Sequence, residues 1–169
     1  EELNRRKAVV FVHPSIVPGL EPLPGVPTFV VDFLLDTTRA AILLSRSGTL
    51  EGYPDLKIIL AHAGGIVPYA AYRMSAPASP SGNPIDGVAR LKRFYFDTAL
   101  SGSPTALPSL LAFAEPDHVL FGSDFPYAPA PVVGAFTGVY ESFALTASQR
   151  RSIDRGATEH LFPRLKENG

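Results

Sequence analysis

The stretch LKIILAHAGG, residues 56–65, decides the fold class. Its apolar residues form a nearly continuous run instead of alternating with polar ones, which is typical of a strand buried on both faces of a parallel sheet. Three further runs are also rich in Val, Ile, Leu, Phe or Tyr, namely AVVFVHPS (8–15), RFYFDTAL (93–100) and HVLFGSDFPY (118–127). We therefore predict four strands of a parallel sheet.

Helix-forming stretches separate these four runs. Apolar spacing and helix-start residues predict helices over 27–47, 66–74, 103–114, 130–145 and 146–162. The resulting order, β-α-β-α-β-α-β-α-α, indicates an α/β domain. The Pro/Ser/Gly-rich segment 75–87 is predicted to be a mobile loop, and no linker divides the chain into two domains.

The composition excludes several classes of function. The chain has 169 residues, of which 46% are hydrophobic and 18% charged, so one domain can bury a core. The formal net charge is -1, and the sequence contains no basic patch for nucleic acid and no apolar stretch of the ~18 residues that a membrane span needs. There is no cysteine for a disulfide or a thiolate metal site. The absence of a signal-peptide pattern favours a cytoplasmic protein.

Each of the four strand runs carries a titratable side chain towards its end: His13, His62, Asp97 and Asp124. In parallel α/β sheets and barrels, functional groups gather at the carboxyl ends of the strands. Because neighbouring strands lie ~4.8 Å apart, we expect these side chains to line one pocket.

These candidates also have purely structural interpretations. His13 is either a metal ligand or a hydrogen-bonded histidine at a strand end. His62, which stands between alanines and ahead of two glycines, serves in catalysis or substrate binding, or it only packs. Asp97 is a further candidate for the site, or its carboxylate accepts backbone N–H bonds in the following turn. Arg73 is a solvated charge or a group that binds a carboxylate.

Asp124 points most clearly to a cation. It follows the apolar residues VLF, where an unpaired buried carboxylate would be costly without a cation or strong donors. Imidazole and carboxylate ligands favour zinc, with manganese or iron as alternatives. His13 and Asp124 supply only two ligands, whereas a catalytic zinc typically has three protein ligands and water. The sequence therefore predicts a divalent-metal site that is incomplete in this chain.

Two histidines are interpreted as structural. His118 stands at the start of its strand, at the opposite end from the predicted pocket, and His160 lies in the last predicted helix. We therefore assign neither of them to the site.

Three motifs, in order, resemble those of the amidohydrolase-related family: HP at 13–14, LKIILAHAGG followed by PY, and VLFGSDFPY. They resemble in particular the branch typified by aminocarboxymuconate-semialdehyde decarboxylase and the resorcylate decarboxylases, and HLFPRL at 160–165 is similar to the ending of that branch. The resemblance covers nearly the whole chain. It implies a TIM-type (β/α)8 barrel with one divalent metal at its top, in which these strands would be the fifth to eighth.

The resemblance also implies a role for each candidate residue. His13 and Asp124 would bind the metal, and His62 would be the catalytic histidine. His62 and Asp124 are the candidates for proton transfer. Arg73 would reach into a neighbouring subunit and bind the carboxylate of a small-molecule substrate, which implies a homodimer.

Two departures from the family pattern affect these expectations. The first strand of the family carries a His-x-His or Glu-x-His pair that supplies the other metal ligands, and this sequence has no such pair. A further substrate-binding arginine has no counterpart in SAPASPSGNP, at 75–84. Since a full barrel takes ~250 residues, we expect residues 1–169 to be the C-terminal portion of a larger barrel, or a truncated product.

For the intact enzyme, the resemblance implies nonoxidative decarboxylation of an aromatic or unsaturated carboxylic acid. One alternative is a metal-dependent hydrolase of a lactone or amide that uses the same residues. Another is a catalytically inactive half-barrel that binds metal weakly or not at all. Detection of released CO₂ would distinguish the first two.

Overall fold

Four parallel strands form a sheet in the computed structural model, which describes residues 1–76 and 83–166. The strands are β1 (Val9–Val12), β2 (Lys57–Leu60), β3 (Tyr95–Asp97) and β4 (Val119–Leu120). They lie side by side in chain order, with Leu60 of β2 paired to Phe96 of β3, and Phe96 to Val119 of β4. The predicted α/β class with a parallel sheet is confirmed.

Helices fill the chain between and after the strands. The α-helices are α1 (Glu2–Arg5), α2 (Thr28–Arg46), α3 (Thr49–Gly52), α4 (Val67–Ser75), α5 (Pro84–Leu91), α6 (Leu107–Phe113), α7 (Ala130–Ser142), α8 (Ala147–Arg151) and α9 (Ala157–Leu161). Short 3-10 segments occupy His62–Gly64 and Pro163–Leu165, and a π-helical turn occupies Ser152–Gly156. Within the described ranges, no helix is both long and apolar enough to cross a bilayer.

Each helix predicted from the sequence is present, although the last one is not uniform. The predicted stretch 146–162 consists of α8, the π-helical turn and α9 in direct succession. Its start follows the capping box expected from the sequence, because the Thr146 side chain accepts from the Gln149 backbone while Gln149 accepts from the Thr146 backbone.

The loop predicted over 75–87 differs from the structure at both ends. Ser75 is the last residue of α4, and residues 84–87 belong to α5, so the prediction is wrong for these residues. The physical reason is a helix start that the Pro/Ser/Gly composition obscured: Asn83 caps α5 by accepting from the Ile85 N–H, and Pro84 occupies the first turn. Residues 77–82 lie outside the described part of the chain.

Strands β2, β3 and β4 are buried on both faces, as their continuous apolar runs predict, whereas Phe11 leaves one face of β1 exposed. Leu60 and Phe96 face the helices and belong to the main core. Ile59 and Tyr95 face the opposite side, where Ala157 of α9 packs against them. Because neighbouring residues of a strand point to opposite faces, both sides of the sheet contribute, at about 1.5–3 kcal/mol for each large side chain buried.

A tight turn with positive φ angles connects β2 to α4. His62, Ala63, Gly64 and Gly65 have φ angles of 54°, 55°, 72° and 66°. A Cβ atom on Gly65 would lie 2.3 Å from the carbonyl oxygen of Leu34 in α2. The turn therefore packs directly against the backbone of α2, at a distance that only glycine permits.

We expect Gly65→Ala to lower the free energy of unfolding by about 2–4 kcal/mol, because the added methyl group meets the Leu34 carbonyl and the positive φ is unfavourable for alanine. Gly52→Ala in α3 is the matched control, since its Cβ would meet nothing within 4 Å, and it should be neutral or stabilising. Urea unfolding measures both changes. Equal unfolding midpoints for the two variants would contradict this account of the turn.

Candidate functional site

The candidate site lies where the chain leaves the carboxyl ends of the four strands. His13 directly follows β1, His62 begins the turn after β2, Asp97 is the last residue of β3, and Asp124 lies in the loop after β4. The structure brings the side chains of His13, His62 and Asp124 together, and the carboxylate of Asp97 accepts from the His62 N–H. All four predicted strand-end groups thus share one region of the molecule.

Three ligand atoms form the centre of the site. His13 Nε2 lies 3.2 Å from Asp124 Oδ1, and His62 Nε2 lies 3.8 Å from the same oxygen. The two imidazole rings meet edge to face, with their centroids 5.2 Å apart. His62 is buried, whereas His13 and Asp124 are half-buried, so the group opens toward solvent on one side.

The second nitrogen of each imidazole fixes the orientation of its ring. His13 Nδ1 lies 3.0 Å from the Pro14 carbonyl oxygen, and His62 Nδ1 lies 3.1 Å from the Ala99 carbonyl oxygen. A carbonyl can only accept, so each Nδ1 carries the hydrogen and donates it. In a neutral imidazole this leaves a lone pair on Nε2, which is the arrangement that neighbouring groups impose on histidines that bind metals.

The resulting arrangement fits a divalent cation. The Nε2 lone pairs of His13 and His62 both face an Asp124 carboxylate, which is itself an acceptor, and the three ligand atoms lie within 4.8 Å of one another. Such a set of acceptors requires a shared proton or cation between them. Imidazole nitrogen with carboxylate oxygen is a donor set suited to zinc or manganese. These three side chains could together hold a metal ion, whereas the sequence predicted only His13 and Asp124 as its ligands.

Asp97 contacts backbone amides instead of the ligand group. Its Oδ1 accepts from the N–H of His62 at 2.7 Å and from the N–H of Ala99 at 3.1 Å. Burial raises the pKa of its carboxyl group, against the lowering effects of the nearby His62 and of the bonds from the amides of Ala99, His62 and Ala63. The structural interpretation from the sequence, an acceptor of amides in the following turn, thus describes its contacts.

The remaining predicted residues lie apart from this group. Arg73 occupies the last turn of α4 with an exposed side chain, so the structure does not bring it to the three ligand atoms. The His118 ring stacks on Tyr95 at a centroid distance of 3.9 Å, and its Nδ1 contacts the Lys92 and Phe94 carbonyls. These contacts agree with the structural role predicted for His118. His160 is exposed on α9.

Two aromatic residues at the site were not predicted as site residues from the sequence. The Tyr127 ring stacks on His13 with centroids 5.0 Å apart and an interplanar angle of 25°, and Phe33 of α2 meets the same imidazole edge to face at 6.4 Å. The sequence signal for Tyr127 was its place just after Asp124 in SDFPY. Phe33 left no such signal, because its spacing in α2 is that of an ordinary core residue.

A cavity of about 250 Å³ adjoins His13 and Asp124, and Asp97 also lines it. Its lining includes His13 and Asp124 together with the aromatic rings of Phe11, Phe125 and Tyr127. Apolar walls with a few convergent polar groups are the usual composition of a small-molecule site. The cavity can therefore hold a flat apolar ring beside a charged centre.

Comparison with known proteins identifies relatives of the whole chain. The 6-methylsalicylic acid decarboxylase of Penicillium expansum is 42% identical over 171 residues, which cover 98% of this chain and 53% of that protein. The chain spans about half the length of the curated relatives it matches.

Solved structures share the fold. A crystal structure of an amidohydrolase II is 30% identical, with a TM-score of 0.84, and the match covers 95% of this chain and 53% of that one. A dihydroxybenzoic acid decarboxylase from Polaromonas sp. JS666, solved with manganese and the inhibitor 2-nitroresorcinol, is 23% identical with a TM-score of 0.77, over 97% of this chain and 52% of that one.

The family assignment rests on almost the full length of the sequence. The profile of the family described as "Amidohydrolase" matches residues 1–164. This match includes the HP, AHAGG and GSDFPY motifs and the strand ends that carry them. The chain belongs to the amidohydrolase family.

Proposed function

We propose that this chain carries part of the active site of a metal-dependent decarboxylase that removes CO₂ from an aromatic carboxylic acid without oxidation. The observation that carries the proposal is the convergence of His13, His62 and Asp124 on one point beside an aromatic cavity. The 42% identity to a 6-methylsalicylic acid decarboxylase supports an aromatic acid as the substrate class.

We propose His13 and Asp124 as metal ligands. Their atoms, His13 Nε2 and Asp124 Oδ1, are 3.2 Å apart, a separation that two ligands of one ion can adopt. The donor set favours zinc, whereas the Polaromonas decarboxylase holds manganese. A divalent ion here would act as a Lewis acid toward the oxygens of the substrate.

The residues of this chain account for the proton that decarboxylation requires. The bond between the ring carbon and the carboxylate breaks, CO₂ leaves, and the electron pair stays on the ring carbon, which must then accept a proton. His62 Nε2 faces the site 3.8 Å from Asp124 Oδ1, and its Nδ1–H is held by the Ala99 carbonyl. We assign this proton transfer to His62 with Asp124. His62 Nε2 would take up a proton from solvent beside Asp124, pass it to the ring carbon and return to its neutral form, a task that general acid–base groups typically accelerate by about 100- to 10,000-fold.

We also propose that the four βα units are the fifth to eighth of an eight-stranded barrel. In support, β1 and β4 are the two edges of the sheet, and Phe11 of β1 is 52% exposed although it lies in a strand. The amidohydrolase II structure is about twice as long as the matched region. Truncation of the protein stays a prediction, and so does its cytoplasmic location.

The exposed face of α4 supports the proposed homodimer. Tyr69 is 86% exposed and Tyr72 is 63% exposed, and both lie on the same helix as Arg73. Tyrosine and arginine are enriched in protein interfaces. We propose that this face meets a second copy of the chain, so that Arg73 reaches the carboxylate of a substrate in the neighbouring site.

With Mn²⁺ or Zn²⁺ bound, protein containing these residues should convert 6-methylsalicylate to 3-methylphenol and CO₂. Removal of the metal by a chelator should abolish the reaction, and re-addition should restore it, because His13 and Asp124 are left without the ion they face. Gas detection and chromatography measure the two products. Two results would contradict the decarboxylase assignment: hydrolysis of a lactone or amide without release of CO₂, or no turnover by metal-loaded protein. Protein that binds no metal would favour the inactive half-barrel.

His62→Asn should lower kcat by about 100- to 10,000-fold and leave metal binding intact, because His62 is proposed to transfer the proton and not to hold the ion. His160→Asn, at an exposed histidine of α9, is the matched control and should keep full activity. Steady-state kinetics and calorimetric metal titration give the two readouts. Loss of metal binding in His62→Asn would make His62 a ligand and overturn its assigned role.

Arg73→Ala should raise KM for the carboxylate substrate by about tenfold or more, since a charge-assisted hydrogen bond is lost. Arg46→Ala, at an exposed arginine in the last turn of α2, is the control and should leave KM unchanged.

Analytical ultracentrifugation of the unmodified protein should find a dimer. A monomer that is fully active, with an unaltered KM in Arg73→Ala, would exclude the exchange of arginines between subunits.

A further inference from the structure

The backbone that presents His62 adopts a conformation that needs support. His62 and Ala63 are not glycines, yet their φ angles are 54° and 55°. Residues with side chains rarely adopt this region, and they keep it only where surrounding contacts favour it. The contacts that support the turn therefore also set the direction in which the His62 ring leaves the backbone.

Asp97 supplies the first of these contacts. Its side chain is buried, with 4% of the residue exposed, and its Oδ1 accepts from the His62 N–H at 2.7 Å. The Ala63 N–H lies near enough to the same carboxyl group to lower its pKa. Hydrogen bonds from backbone N–H groups to a carboxylate are roughly twice as strong as neutral ones, so this one side chain stabilises the start of the strained turn.

The same carboxylate also fixes the far end of the imidazole ring. Asp97 Oδ1 accepts from the Ala99 N–H at 3.1 Å, and the carbonyl of Ala99 accepts from His62 Nδ1 at 3.1 Å. The backbone and the ring of His62 are thus both tied to Asp97, one directly and the other through Ala99. Rotation of the His62 ring would break the hydrogen bond from its Nδ1 to the Ala99 carbonyl.

On its other side, Asp97 touches the chain that leads to Asp124. A Cβ atom on Gly122 would lie 2.9 Å from Asp97 Oδ2, so glycine allows the end of β4 to pack on this carboxylate. The Gly122 N–H donates to Thr98 Oγ1 at 3.2 Å, which joins the same two segments a second time. Asp97 therefore lies between the backbone supports of His62 and of Asp124.

We infer that Asp97 is a positioning residue that holds His62 Nε2 against Asp124 and takes no part as a metal ligand. The inference rests on the proposed function only in treating His62 as the reactive histidine. The geometry it explains, a 3.8 Å separation between His62 Nε2 and Asp124 Oδ1, is a property of the folded chain.

The test compares Asp97→Ala and Asp97→Asn by NMR of the metal-free protein. In Asp97→Ala, the His62 Nδ1–H signal should be lost to exchange with water, and the His62 amide should exchange with solvent about tenfold faster or more, since both lose their support. Asp97→Asn keeps one oxygen that can accept from the amides of His62 and Ala99, so the His62 Nδ1–H signal should be present in this variant. Its His62 amide should still exchange faster than in the unmodified protein, because a neutral amide oxygen is a weaker acceptor than a carboxylate.

Ser75→Ala is the control for general disturbance of the core. Ser75 is buried and its hydroxyl has no hydrogen-bond partner among the described residues, so this variant should leave the His62 signals unchanged. Where turnover is measurable, Asp97→Ala should lower kcat by about tenfold or more, because His62 Nε2 is no longer held toward Asp124.

An unchanged His62 ring signal and unchanged amide exchange in a folded Asp97→Ala protein would overturn the inference. If that variant does not fold, unchanged exchange of the His62 amide in Asp97→Asn overturns it instead. The NMR readout needs neither metal nor substrate. A protein without decarboxylase activity that still loses the His62 signal in Asp97→Ala would refute the proposed function and leave the positioning role intact.

Discussion

Four consecutive positive φ angles, from His62 to Gly65, are the constraint on which the site depends. A residue with a side chain in this region costs about 1–3 kcal/mol, and the turn contains two of them, His62 and Ala63. Strand β3 offsets this cost through Asp97, and helix α2 does so through Thr38. The Thr38 hydroxyl donates to the Leu34 carbonyl at 2.7 Å and accepts from the Ile66 N–H at 3.0 Å.

This turn explains why a buried histidine faces outward at the end of an apolar strand. An extended continuation of β2 would place successive side chains on alternate faces of the sheet. The left-handed turn instead places His62 over the carboxyl edge, where the Ala99 carbonyl binds its Nδ1–H. The local strain and the orientation of the ring therefore have one origin, and the approach of His62 Nε2 to within 3.8 Å of Asp124 Oδ1 follows from it.

Much of the fold and of the site could be predicted from the sequence, for definite reasons. Continuous apolar runs predicted the strands, and the strand ends predicted His13, His62 and Asp124, because parallel strands place their carboxyl ends at one edge. The positive φ angle of His62 could not be predicted, because only the two glycines after it indicate a turn. Stacking of Tyr127 on His13 was also hidden, because it joins residues far apart in the chain.

The C-terminal segment shows the same limit of local sequence patterns. Residues 146–162 have an ordinary helical pattern, yet the chain forms a π-helical turn at Ser152–Gly156. The carbonyl of Ile153, in this turn, accepts from the Phe121 N–H at 2.9 Å, directly beyond β4. An N–H at a sheet edge is thereby satisfied by a helix, as buried backbone groups require.

This contact also bears on the site. Phe121 leads into the loop of Asp124, and the Tyr140 hydroxyl, which donates to Asp154 Oδ1 at 2.5 Å, ties α7 to the same π-helical turn. A regular α-helix would use the Ile153 carbonyl for its own bond to the residue four positions later. In the π-helical turn the Ile153 carbonyl accepts from the N–H beyond the strand end, just as the positive φ angle at His62 directs the imidazole. In both places, an irregular backbone helps to bring the side chains of the candidate site to one point.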